Sequence, residues 1–98
     1  MPEILTRILG FEWDEGNSGK NEQKHGVTDR EAEEIFFNKP LLVGRSPKGA
    51  PEARYAALGK TYGSRLLAVV FTIRSRWIRV ISARPMSRKE RKLYEEES

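Results

Sequence analysis

Residues 65–84 read RLLAVVFTIRSRWIRVISAR, two apolar runs divided by the charged break at Arg74, Ser75 and Arg76. Both runs are rich in β-branched and aromatic side chains and have the length of strands. The longest uninterrupted apolar stretch, Leu66 to Phe71, falls far below the ~20 residues needed to cross a bilayer. A turn at Ser75 joins the two runs, and another near Gly63 joins them to RYAALGKTY, which starts at Arg54. Three strands in succession with short turns make an antiparallel meander. Alternation puts Trp77, Arg79, Ile81 and Ala83 on one side of the last strand, and Ile78, Val80, Ser82 and Arg84 on the other. Arg79 and Arg84 can therefore share a pocket only if a bulge shifts the register between them. Ile78 and Val80 have the character of core partners for helices, so Arg84 is expected to project from the rim at the strand end.

Toward the N-terminus, VTDREAEEIF carries a capping box, with the Thr28 hydroxyl accepting from the Glu31 amide and the Glu31 carboxylate reaching back to the Thr28 amide. Val27 can staple onto Ala32, and Ala32, Ile35 and Phe36 form the buried stripe of this helix. Pro40 stops it, Leu41–Val43 reads as a short strand, and the polar loop 44–52 is expected to be mobile. Residues 17–25 are almost entirely polar, so a helix there is short and solvated, capped by Asn17 or Ser18 and stopped by Gly26. RILGFEW, from Arg7 to Trp13, alternates as a half-buried strand. After Pro85, SRKERKLYEEE repeats the capping box with Ser87 and Glu90 and offers Leu93 and Tyr94 as a narrow apolar face. An antiparallel sheet with two helices before most of its strands and one after them is an α+β arrangement. With no internal repeat, residues 1–98 are expected to form one domain.

The chain has no cysteine, which excludes disulfides and thiolate chemistry and is compatible with a reducing cytoplasm. No basic segment followed by an apolar run opens it, so a soluble, unprocessed cytoplasmic protein without a membrane span is expected. A net charge of +4 and an isoelectric point near 9.6 favour a polyanionic partner. Half of the 18 Lys and Arg residues lie from Arg65 onward, so the meander and its following helix are the basic half. Cations along a sheet suit RNA, where phosphate contacts dominate affinity, and Lys24, Arg74, Arg76, Arg79 and Arg91 are candidate RNA contacts. A solvated strand face explains the same charges equally well.

RNA can be cut without a metal or cofactor, because its own 2′-hydroxyl attacks the phosphate once a base takes the proton, charge is neutralised and the leaving oxygen is protonated. His25, the only histidine, is the natural proton carrier, since imidazole is the side chain most often used for that work. Arginine clamps phosphate with two prongs, which makes Arg54, Arg79 and Arg84 candidates for stabilising the transition state, with Lys60 as an assistant. Plainer duties compete with each of these. His25 sits in the last turn of a helix, where an imidazole complements the dipole. Glu90 is explained as the third residue of a capped helix as well as by a proton-transfer role, and Tyr94, Trp13 and Trp77 are explained by packing.

Taken in order, FEWD at Phe11, NEQKHGVT at Asn21, EARYAALGK at Glu52, RLLAVVFT at Arg65 and RVISARPMSRKERKLYEE at Arg79 resemble the BrnT toxins of bacterial type II toxin–antitoxin systems. The likeness spans residues 8 to 96, leaving the first seven residues outside the pattern. It implies a RelE-like fold, an endoribonuclease that cleaves mRNA and arrests translation, and neutralisation by a BrnA-like antitoxin with a ribbon-helix-helix part. Operator DNA would then be bound only indirectly, through the antitoxin. By matching position the resemblance places functional residues at Arg84, Arg54 and Lys60, with His25 and Glu90 also on motif positions. Three departures stand out: Asn17 where lysine is usual, Asp29 where an aromatic is common, and Lys60 where arginine is usual. Lysine cannot form the two-pronged clamp, so Lys60 would hold a phosphate less rigidly. The competing reading is a non-catalytic basic module that binds RNA or an acidic protein. A DNA-binding accessory fits less well, since the chain offers no obvious recognition helix.

Overall fold

The computed structural model describes residues 5–47 and 52–97; residues 48–51, in the loop expected to be mobile, lie outside the described residues. The elements in chain order are β1 (Gly10–Phe11), α1 (Lys20–His25), α2 (Asp29–Glu34) running into a 3-10 turn (Ile35–Phe37), β2 (Leu42–Arg45), β3 (Tyr55–Lys60), β4 (Leu66–Arg74), β5 (Trp77–Pro85) and α3 (Arg88–Glu97). They build a five-stranded sheet in the order β1-β5-β4-β3-β2. The meander is β3, β4 and β5, and β2 adds to it antiparallel, as the turns require. The class is α+β, as expected, with one addition: β1 pairs parallel with β5, so the sheet is mixed.

That edge strand is shorter than the alternation of Arg7–Trp13 implies, and the reason lies in two asparagines. After the Glu12 amide donates to Ile78 O (2.8 Å), the chain leaves the ladder. Asn17 Nδ2 then donates to Glu12 O (3.0 Å) and Val80 O (3.1 Å), and Asn21 Oδ1 accepts from the Ala83 amide (3.0 Å). Buried backbone groups need partners, and here side chains take over where a neighbouring strand stops. Because Asn17 is committed to β5 and Ser18 Oγ donates to Asp29 Oδ2 (2.6 Å), neither caps α1. The helix starts later, at Lys20, after a left-handed Gly19. Its end is as expected: Gly26 adopts φ 68°, ψ 26°, and the amides of Gly26 and Val27 close onto the carbonyls of Glu22 and Asn21.

The capping box of α2 is present in both directions, with the Glu31 amide 3.1 Å from Thr28 Oγ1 and the Thr28 amide 3.0 Å from Glu31 Oε1. Thr28→Ala is expected to cost about 1 kcal/mol. Urea unfolding should show this as a lower midpoint with an unchanged slope.

The sheet has two covered faces of unequal extent. On one, Val27, Ala32, Ile35 and Phe36 pack on Ala57, Leu67, Val69, Phe71, Ile78, Val80 and Ala83. Phe36 meets Phe71 edge-on, 5.1 Å between ring centres. Gly59 lets the 3-10 turn lie directly on β3, since a Cβ there would stand 2.9 Å from Ile35 Cβ. On the other face α3 covers a smaller cluster, in which Tyr94, Met86 and Ala68 pack with Leu42, Leu58 and Leu66. The Tyr94 hydroxyl donates to Pro40 O (2.6 Å), tying α3 across the sheet toward β2. Leu93, expected beside Tyr94 in the apolar face, is 50% exposed, because neighbouring helical residues point about 100° apart and the sheet accepts only Tyr94.

Candidate active site

The cross-strand register decides which arginines share a face. Val70 pairs with Ser82 and Phe71 with Val80, so Ile81 is bulged out of the ladder. The bulge moves Ala83 to the side of Val80, and Arg84 to the side of Arg79. The pairs Ala68–Arg84, Val70–Ser82, Thr72–Arg79 and Arg74–Trp77 all lie on the face that α3 covers at one end. Arg54 precedes β3, where the Ser46 amide donates to its carbonyl (2.9 Å) and prolongs the β2–β3 ladder. Alternation sets Arg54 on the same face as Ala56 and Leu58. Arg54 and Arg84 therefore flank a shallow floor of small residues, Ala56, Val70 and Ser82. Two strand spacings and four residues of rise put their backbones about 16 Å apart.

Arg84 is held at this rim by the start of α3. Its Nη1 and Nη2 donate to Glu90 Oε1 and Oε2 at 2.7 and 2.8 Å, and Nη1 also donates to Pro85 O (3.2 Å). Glu90 completes the second capping box: Oε1 accepts from the Ser87 amide (2.8 Å) while its own amide donates to Ser87 Oγ (3.2 Å). These hydrogen bonds, the Arg84 guanidinium foremost, hold the Glu90 carboxyl down at about 2, and the same pair raises Arg84 above its ordinary value.

His25 is exposed at the end of α1, one helical turn beyond Asn21, whose side chain holds the amide of Ala83. Four helical residues rise ~6 Å, so His25 stands about that far along α1 from the Asn21 anchor on β5. Arg65 pins this corner, with Nη1 donating to Gly26 O (2.8 Å) and to both Glu31 carboxylate oxygens (3.2 Å). Composition counts Arg65 only as one cation of the basic half, and nothing in its local sequence marks it as the pin of the α1–α2 junction.

The remaining candidates fall elsewhere. Lys60 shares the face of Arg54 but lies six residues further along β3, about 20 Å away, with the Leu58–Ala68–Tyr94 cluster between them. Arg79 is tied to Asp14 (2.9 Å) and Glu12 (3.0 Å), its side chain only 15% exposed, and its hydrogen bond lowers the Asp14 carboxyl. Arg74 is paired with Glu52 (2.8 Å), and Arg76 Nε donates to Arg7 O (2.9 Å). The charge of Arg79 and Arg74 is thus matched within the chain. Lys24, His25, Arg54, Lys60 and Arg91 make no side-chain hydrogen bond or ion pair among the described residues. Arg91 lines a concavity with Ser64, Arg65, Leu66, Pro85 and Met86. Among the described residues no three His, Asp or Glu side chains gather as a metal site would require. None of the described helices is long and apolar enough to cross a membrane.

The arrangement presents Arg54 and Arg84 on one sheet face, with a fixed carboxylate beside Arg84. A comparison with curated proteins finds no match. A family model described as the ribonuclease toxin BrnT of type II toxin–antitoxin systems matches residues 13–90, most of the chain and every candidate site residue except Arg91. On that match the chain belongs to the BrnT family of ribonuclease toxins.

Proposed function

We propose that this chain acts as a single-domain, metal-independent endoribonuclease in the cytoplasm, cutting mRNA and so arresting translation. A BrnA-like ribbon-helix-helix antitoxin restrains it and carries any operator binding. The observation that supports this reading best is the β5 bulge, which sets Arg84 on the same face as Arg54 with a floor of small residues between them. An RNA strand laid on that floor places a phosphate against Arg84. The 2′-hydroxyl loses its proton and attacks that phosphate, the bond to the 5′-oxygen breaks, and a 2′,3′-cyclic phosphate and a protonated 5′-hydroxyl result, while Arg84 and Arg54 neutralise the charge that grows on the equatorial oxygens. His25 is the group available to move a proton, while the Glu90 carboxylate is engaged by Arg84 and the Ser87 amide. Lys60, beyond Tyr94, serves a neighbouring phosphate of the same strand.

Production of the chain alone in bacteria tests this. Colony formation is expected to collapse on induction and to recover when a ribbon-helix-helix partner is produced with it. Purified protein is expected to shorten RNA in the presence of a chelator. Unimpaired growth together with intact RNA would overturn the reading, and RNA that is retarded on a gel yet not shortened would favour a non-catalytic binding module.

A further inference from the structure

An arginine guanidinium carries five N–H donors, and the structure accounts for three of them at Arg84: two from Nη1, to Glu90 Oε1 and Pro85 O, and one from Nη2, to Glu90 Oε2. The two that remain are Nε–H and the other Nη2–H. They lie side by side on one edge of the group and form the two-pronged fork that fits phosphate oxygens. The Arg84 side chain is 41% exposed, and its hydrogen bonds to the described residues leave this edge unused. Glu90 holds the opposite end, and it is itself fixed by the Ser87 amide and by its place in the first turn of α3.

Resting on the ribonuclease reading, we propose that Glu90 is a positioning residue: it grips Arg84 by its outer end so that the Nε–Nη2 edge meets the scissile phosphate, and it carries no proton in the reaction. A carboxyl held at about 2 is ionised throughout the range in which RNA is handled, and its proton affinity is too low for an effective base near neutrality. Both carboxylate oxygens are already occupied by Arg84 and Ser87, which leaves the 2′-hydroxyl to another group.

The test follows cleavage of a short RNA between about pH 5 and pH 8 by the unaltered chain, Glu90→Gln and Glu90→Ala. Glu90→Ala is expected to lose kcat on the order of 100-fold. Glu90→Gln, which keeps the shape and one acceptor, should lose about tenfold. KM should change little, and the limbs of the pH profile should stay where they are. Equal losses in the two variants with disappearance of the acid limb, or full activity in Glu90→Ala, would overturn the proposal. A second measurement is independent of turnover. In the unaltered chain the Arg84 Nε–H resonance is expected to move when a 2′-O-methyl RNA is added. In Glu90→Gln the same resonance should move less at equal saturation. An Nε–H that ignores RNA sinks the proposal even if the chain cleaves. A chain that cleaves nothing, yet whose Nε–H follows RNA, sinks the ribonuclease reading and leaves the positioning role of Glu90 standing.

Discussion

Arg84→Ala is expected to lower RNA cleavage on the order of 1000-fold and to abolish toxicity, with the protein still folded. The size follows from removing a charged, two-pronged donor from the point where charge develops in the transition state. Arg84→Lys keeps the charge and can still meet Glu90, but has no second prong, so a loss on the order of 100-fold is expected rather than rescue. Folding is affected far less. The Arg84–Glu90 pair is partly exposed, with side chains 41% and 28% accessible, so solvent screening limits its worth to about 1 kcal/mol. The sign of the pH effect is fixed by the depressed carboxyl. Folding lowers Glu90 from 4.5 to about 2, so its contribution is complete above about pH 4.5 and disappears as the pH falls toward 2. Urea midpoints of the unaltered chain and Arg84→Ala should differ at neutral pH and converge through that window. Cleavage by Arg84→Ala at anything near the unaltered rate would remove this residue from the reaction, whatever the midpoints show.

Local signals in the sequence carry the parts of the fold that local chemistry determines. The meander, both capping boxes and the left-handed stop at Gly26 are legible because turn residues, cap hydroxyls and apolar runs act on their near neighbours. What is not legible is long-range. No pattern in residues 77–85 announces the bulge at Ile81, which exists because β4 pairs Val70 with Ser82 and Phe71 with Val80, yet it decides that Arg79 and Arg84 lie on one face. Free charge is equally hidden. Arg74 and Arg79 add to the basic half by count, but their partners Glu52, Glu12 and Asp14 stand 22, 67 and 65 residues away in the chain. Among the described residues, Lys24, Arg54, Lys60 and Arg91 are cations without a side-chain hydrogen bond or ion pair, and only the paired structure separates them from Arg74 and Arg79. Family resemblance supplied the positions of Arg54, Lys60 and Arg84, but not the distance between them. Lys60 pairs with Leu66, two residues from the Ala68 that pairs with Arg84, so its backbone lies about 12 Å from Arg84 and about 20 Å from Arg54.

Replacement of Asn17 is expected to have the largest effect on stability of any polar change among the described residues. Its side chain makes three hydrogen bonds: Nδ2 to Glu12 O (3.0 Å) and Val80 O (3.1 Å), and Oδ1 from the Asp14 amide (2.9 Å). The residue is only 5% exposed, and the bond to Val80 is wholly buried. Asn17→Ala leaves these backbone groups without their partners where water has little access, which costs about 2–3 kcal/mol. Asn17→Asp is a sharper test because the shape is kept. It would set a carboxylate oxygen against two carbonyl oxygens in place of the donor, and the loss should equal or exceed that of alanine. Both variants should lower the urea midpoint at neutral pH without changing the slope. Ser18→Ala, which removes an exposed hydroxyl bond to Asp29, should stay within about 0.5 kcal/mol. The functional consequence follows the same path, since the β5 edge that Asn17 and Asn21 hold at Val80 and Ala83 carries Arg84 as its next residue. Cleavage by Asn17→Ala should therefore fall at temperatures where the unaltered chain is fully active, and recover on cooling. A midpoint unchanged to within about 0.5 kcal/mol would mean that water substitutes freely for the amide, and that the position of Arg84 does not depend on this edge.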